Sequence, residues 1–212
     1  MELWFLSEMK IPTPGDAIPR RGNILTKAIA RFWLFVFGWR FEGDIPNVAG
    51  AVIIAAPHTS NWDFLLGMAV IFAVGVDVKW LGKHTFLRGP LAGILRWLGG
   101  IPVDRRAPRG MVGQTVAEFA RRDRLLLGLA PEGTRKKVDR WKMGFYHIAQ
   151  GAGVPILPIY FDYGRKVVGF GQPVIPSGDV AADMEKIGSV YEGVVGRNPD
   201  QAMLAPPGSS TR

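Results

Sequence analysis

The sequence contains no cysteine, which excludes disulfides and thiolate metal sites and is compatible with a reducing compartment. It has no apolar run of the roughly 18 residues that a bilayer-spanning helix needs; the longest candidate, Phe64 to Val76, falls well short. Acids at Glu2 and Glu8, and no apolar stretch ending in a small-residue cleavage site, argue against a secretory signal. Histidine is scarce, with three in 212 residues, and acids are outnumbered, 18 against 26 Lys and Arg, for a net charge of +8. Such a balance predicts an anionic partner: nucleic acid, an anionic lipid surface or a phosphorylated substrate. Length predicts one domain, and neither an internal repeat nor a dividing linker is present.

Apolar runs alternate with helical patterns, so the expected fold is α/β, with a central, mostly parallel mixed sheet flanked by helices. Residues 9–22 are rich in Pro and Gly and read as an irregular lead-in. Asn23 is placed to cap a helix from Ile24 to Gly38, amphipathic and rich in aromatics, with Lys27 and Arg31 on one face. Such a helix suits a bilayer interface and equally suits a cover over the core. Strands are expected at Arg40 to Glu42, Ala51 to Ala56, Val78 to Leu81, Ile101 to Val103, Leu125 to Leu129 and Ile156 to Phe161. A further hairpin is expected from Lys166 to Phe170 and the stretch ending at Val174. Helices are expected at Trp62 to Val74, Pro90 to Leu98, 111–122, Phe145 to Gly151 and Asp179 to Val195. In the helix at 111–122, Val112, Val116, Phe119 and Ala120 should point inward. The chain divides into a lead-in and membrane-associating helix at 1–39, a main domain at 40–200 and a flexible tail at 201–212.

Two loops that follow apolar strands carry the chemistry. The first is Pro57-His58-Thr59-Ser60-Asn61-Trp62-Asp63. Ends of strands are where α/β folds place ligands, and Ser60 or Asn61 can cap the next helix, putting Asp63 in its first turn. Asp63 can then accept from one imidazole nitrogen of His58, leaving the other as a proton acceptor. No serine or cysteine nucleophile accompanies the pair, so the substrate could supply the hydroxyl. The same residues could also serve only as caps. The second loop is Pro131-Glu132-Gly133-Thr134-Arg135, where Gly133 allows close backbone approach, Thr134 offers a hydroxyl and Arg135 a fork for phosphate. Lys136 and Lys137 add positive potential. Two further segments are Gly99 to Arg105, in which Arg105 leaves a strand end, and Val154-Pro155-Ile156-Leu157-Pro158.

Taken in order, these four segments resemble the glycerophospholipid acyltransferase family. Its motifs are His-x4-Asp, a Gly-rich segment ending in Arg, Glu-Gly-Thr-Arg and Val-Pro-x-x-Pro, and the resemblance covers residues 40–175. Lys83 falls where the family often has a basic residue. The chain departs from the pattern at Gly100, at Trp62, in the residues between Ile101 and Arg105, and in having no transmembrane helices.

The resemblance implies an O-acyltransferase that moves a fatty acyl group from acyl-CoA or acyl-carrier protein to a lysophospholipid hydroxyl, with 1-acyl-sn-glycerol-3-phosphate as the default acceptor and phosphatidic acid as product. It implies His58 as general base and Asp63 as its orienting partner. Arg105, Glu132, Gly133, Thr134 and Arg135 would hold the acceptor phosphate, supported by Lys83, Asn61 and Pro155. Backbone amides are the expected oxyanion donors. No metal and no cofactor are implied, the acyl thioester being a co-substrate. The expected location is the cytoplasmic face of the cell membrane, peripheral or monotopic, on an anionic surface. Glycerol 3-phosphate, a lyso-amino-acid lipid or a sugar lipid remain alternative acceptors. A nucleic-acid partner is not expected, because the strands are uniformly apolar and offer no stacking platform.

Overall fold

The computed structural model describes residues 10–83, 86–103 and 110–202. Seven strands form one sheet: β1 (Arg40–Glu42), β2 (Gly50–Ala56), β3 (Val78–Lys83), β4 (Gly100–Val103), β5 (Leu125–Leu129), β6 (Ile156–Asp162) and β7 (Val167–Phe170), in the order β1-β7-β6-β2-β5-β3-β4. All neighbours run parallel except β6 and β7. The described helices are α1 (Ile24–Val36), α2 (Trp62–Val74), α3 (Ala92–Trp97), α4 (Gly110–Ala120), α5 (Gly144–Ala152) and α6 (Val180–Ser189).

Uniformly apolar strands imply burial on both faces, and β2 shows why. Ala51 and Ile53 pack into one core with α1 and α2, while Val52, Ile54 and Ala56 pack into another with α4, α5 and Tyr191. The central strands β2 and β5 pair in register, Ile54 beside Leu129, so their C-terminal ends open side by side. That is the crevice where open α/β sheets bind ligands.

Several expectations change. The hairpin is β6–β7, and Val174 instead bridges back to Ile156. The last helix begins after Asp179, whose side chain accepts from the Ala182 amide, but stops at Ser189. Turns follow through Gly193 (φ 72°) and bring Tyr191 inward, where its hydroxyl donates to the Ile54 carbonyl. In α4 Thr115 is buried with Phe119, its hydroxyl satisfied by the Met111 carbonyl, whereas Ala120 faces solvent. The lead-in is irregular but docked: Ile18 is fully buried and Arg20 bridges to Val76.

Helix α1 differs most from expectation. Asn23 caps it through a reciprocal pair with Thr26. Only Ala30 and Leu34 enter the core. The basic pair does not line a solvent face. Arg31 Nε donates to the Ala73 carbonyl at 2.9 Å, and Lys27 lies against Gly75, so both cations meet the C-terminal end of α2. A helix C-terminus carries orphan carbonyls and a partial negative charge, which favours cations there. The outward face is left to apolar side chains, with Ile24 87% and Phe32 67% exposed. Among the described residues no helix is long and apolar enough to cross a membrane. Residues 1–9 and 203–212, which hold parts of the expected lead-in and tail, lie outside the described set.

Candidate active site

The loop between β2 and α2 is organised around one carboxylate. Asp63 sits in the first turn of α2, where the helix dipole favours an anion. Its Oδ2 accepts from the amides of Thr59 and Ser60, both at 2.9 Å, and lies 3.2 Å from His58 Nδ1. Its Oδ1 accepts from the Tyr163 hydroxyl at 2.7 Å. Burial alone would push the carboxyl pKa up; the bonds from His58, Tyr163 and Ser60, with the adjacent imidazole, outweigh it and hold the pKa below the usual value. Ser60, one residue before the N-cap, accepts from the Trp62 amide through its hydroxyl oxygen and tightens the turn into the helix. Asn61 is exposed and makes no side-chain cap. His58, with Nδ1 turned to Asp63, lines a cavity of about 950 Å³. That volume is at the large end for small-molecule pockets, roughly 300–1,000 Å³. The walls are largely apolar, from Phe64, Val70 and Ile71 of α2 to Leu126, Ile159 and Phe161 of the sheet.

The loop after β5 closes the same cavity. Gly133, Thr134, Arg135 and Lys136 line it, joined by Lys142. Gly133 has φ +65°, and a Cβ there would lie 3.0 Å from the Lys142 side chain, so this turn requires glycine. Its amide donates to the Ala130 carbonyl, which closes the turn. Glu132 differs from expectation. It is buried, away from the cavity lining, and Oε1 accepts from the His58 amide at 3.0 Å. A buried carboxylate repels an anionic phosphate, and its place is between the loops. Burial pushes its pKa up. The amides of His58, Thr59, Ser60 and Gly133 all have internal acceptors, so none of these four is free as an oxyanion donor.

The other expected residues are less central. Pro155 precedes β6 at the opposite end of the sheet, where its carbonyl accepts from the Val52 amide. Lys83 ends β3, but its side chain lies outside the described residues, as does Arg105. Among the described residues no three His, Cys, Asp or Glu side chains converge to hold a metal ion.

The motifs missed several residues. Tyr163 comes from the β6–β7 turn, 100 positions beyond the carboxylate it meets. The Arg197 guanidinium lies 5.0 Å from the Trp62 ring and 5.8 Å from the Tyr163 ring. Asn198 grips Thr59 twice, its amide donating to Oγ1 at 3.1 Å and its side chain to the carbonyl at 2.8 Å. No local spacing announces these contacts.

Residues 39–162 match the family model described as Acyltransferase, more than half of the chain. The chain belongs to the acyltransferase family. Both motif loops fall inside that span. The chain is 33% identical over 134 residues to the 1-acyl-sn-glycerol-3-phosphate acyltransferase of Escherichia coli (strain K12), covering 58% of this chain and 53% of that one. It is 31% identical over 134 residues to the enzyme of that name from Haemophilus influenzae, covering 58% and 54%. It therefore spans about half the length of the curated relatives it matches. In fold, this acyltransferase-family chain is similar to the crystal structure of the 1-acyl-sn-glycerophosphate (LPA) acyltransferase of Thermotoga maritima, with TM-score 0.56 and 21% identity over 80% of this chain and 75% of that one.

Proposed function

We propose that the protein transfers a fatty acyl group from a thioester, acyl-CoA or acyl-carrier protein, to the hydroxyl of a lysophospholipid, with 1-acyl-sn-glycerol-3-phosphate as acceptor. The observation that carries this reading is the His58–Asp63 pair lining a largely apolar cavity together with Arg135, Lys136 and Lys142, which pair with no carboxylate among the described residues. His58 takes the acceptor's proton as its oxygen attacks the thioester carbonyl. The carbon–sulfur bond then breaks, and the thiolate leaves with the proton returned from His58. Asp63 keeps the ring oriented and stabilises the imidazolium between the two steps. The acyl chain occupies the apolar cavity. Arg135, which pairs with no carboxylate among the described residues, takes the acceptor phosphate, with Thr134 and Lys142 beside it. The relatives' names support this acceptor.

The same reading places the protein on an anionic membrane surface. The outward apolar face of α1 supports this, and full burial of a side chain such as Phe32 contributes about 1.5–3 kcal/mol. Basic residues near an anionic leaflet add about 1 kcal/mol each. A mass-spectrometric screen of lysolipids with acyl-CoA and acyl-carrier protein donors tests the chemistry: phosphatidic acid should form from 1-acyl-sn-glycerol-3-phosphate, and turnover confined to phosphate-free acceptors would overturn the assignment. For the surface, Phe32→Glu should release the protein from phosphatidylglycerol vesicles in a co-sedimentation assay, while an unchanged bound fraction removes α1 from the reading.

A further inference from the structure

We propose that Tyr163 is a positioning residue that, through Asp63, sets how strongly His58 holds a proton. The inference rests on the reading of His58 as general base. Tyr163 lies one position beyond the span that matches the family model, and the motifs do not include it. Its placement is nonetheless closely determined. Asp162 Oδ1 accepts from the amides of Gly164 and Arg165 at 2.9 and 3.1 Å, which shapes the β6–β7 turn. The Tyr163 amide donates to the Val195 carbonyl at 2.8 Å, and Trp39 meets the ring edge-on at 5.0 Å. The hydroxyl can then reach Asp63 Oδ1 at 2.7 Å, on the oxygen opposite the one that serves His58.

A hydroxyl donating to a carboxylate at this distance forms a charge-assisted bond and draws on the charge the carboxylate offers its other partner. Burial, and then the bond to Asp63, push the phenol pKa up, so Tyr163 remains a neutral donor. Arg197 lies over the same ring from the segment after α6 and adds positive potential. The groups that set the field at His58 are thus Asp63 from α2, Glu132 from the loop after β5, Tyr163 from the β6–β7 turn and Arg197. Among the described residues the cations Arg135, Lys136 and Lys142 line the same cavity as His58, and Lys166 Nζ lies 5.9 Å from the Tyr163 ring. Tyr163 opposes proton retention through Asp63, and Arg197, whose charge favours ionisation of the phenol, makes Tyr163 the stronger donor. Removing the Tyr163 hydroxyl leaves more carboxylate charge to the imidazole, which should then hold its proton to higher pH.

The test is Tyr163→Phe, with the His58 ring followed by NMR through a pH titration of histidine-labelled protein, its resonance assigned with His58→Ala. The titration midpoint of His58 should rise by about one pH unit, and the acid limb of kcat/KM should move with it. Below both midpoints the neutral imidazole, and with it the rate, should fall about tenfold, with KM for donor and acceptor little changed. Arg197→Met should shift the midpoint in the same direction by less, and it supplies the readout if Tyr163→Phe does not fold. A midpoint and acid limb that stay at their wild-type positions would overturn the proposal and leave Tyr163 a packing residue. The titration needs no substrate. A shifted midpoint in a protein that shows no acyl transfer supports the positioning and defeats the assigned reaction; the reverse result defeats only the positioning.

Discussion

The loops after β2 and β5 leave the sheet side by side and are satisfied in opposite ways. In the first, a single carboxylate meets two amides, an imidazole and a phenol. In the second, the carboxylate of Glu132 turns inward, and Arg135 and Lys136 face the cavity with no carboxylate partner among the described residues. A loop whose donors and acceptors are matched holds a geometry. A loop that keeps its cations unpaired holds a charge available to something outside the chain. The first suits a proton-transfer group and the second a phosphate.

The sharpest way to break this contrast is His58→Ala. Loss of a general base should cost about 10²–10⁴-fold in kcat, with circular dichroism and melting temperature near wild type; near wild-type turnover would end the mechanism. Arg135→Ala should act on the other loop and on binding. A charged hydrogen bond to phosphate is worth about 1.5–3 kcal/mol, so KM for the phosphorylated acceptor should rise roughly 10- to 100-fold while stability is unaffected. A similar loss with an uncharged acceptor would refute the phosphate role.

Asp63 ties geometry to pH. Its pKa is lowered by folding, so its stabilisation is fully present above the unfolded carboxylate value and is lost as pH falls through the lower folded value. Asp63→Asn should lower the melting temperature at neutral pH and flatten its decline in acid, as read by calorimetry across pH 2 to 7. The effect should be about 1–3 kcal/mol, the usual range for a disturbed buried hydrogen bond. Glu132 behaves oppositely. Its raised pKa makes folding less favourable as pH rises from the unfolded toward the folded value. Glu132→Gln keeps a carbonyl acceptor for the His58 amide and should leave the melt unchanged or slightly higher at pH 7. A large drop would mean that the ionised carboxylate is needed between the loops.

Much of this was legible in the sequence because periodicity reports burial. The bounds of α2 and β5 follow from apolar runs between turn residues, and the order of two loops after two buried strands locates the crevice. What pattern does not carry is the identity of a partner. Lys27 and Arg31 share a helix face, yet nothing local says that this face meets the carbonyl end of α2. Ala120 continues an apolar stripe beyond the point where α4 has anything to pack on. Residues 190–195 carry enough apolar side chains to extend a helix, but Tyr191 is drawn to a carbonyl on β2. Tyr163 joins a carboxylate far earlier in the chain, and only the antiparallel return of β7 shapes the turn that brings it there. Glu132 and Gly133 sit in the expected loop, but which way each one faces is decided by the neighbouring loop.

With its cations tucked against α2, α1 turns Ile24, Leu25, Ile29 and Phe32 outward. On the proposed reading, the protein meets its acceptor in a film rather than in a volume. The relevant concentration is then acceptor per unit of lipid area, so inert lipid added at constant total acceptor should slow the reaction, and tighter lipid packing should slow it further by resisting entry of those side chains.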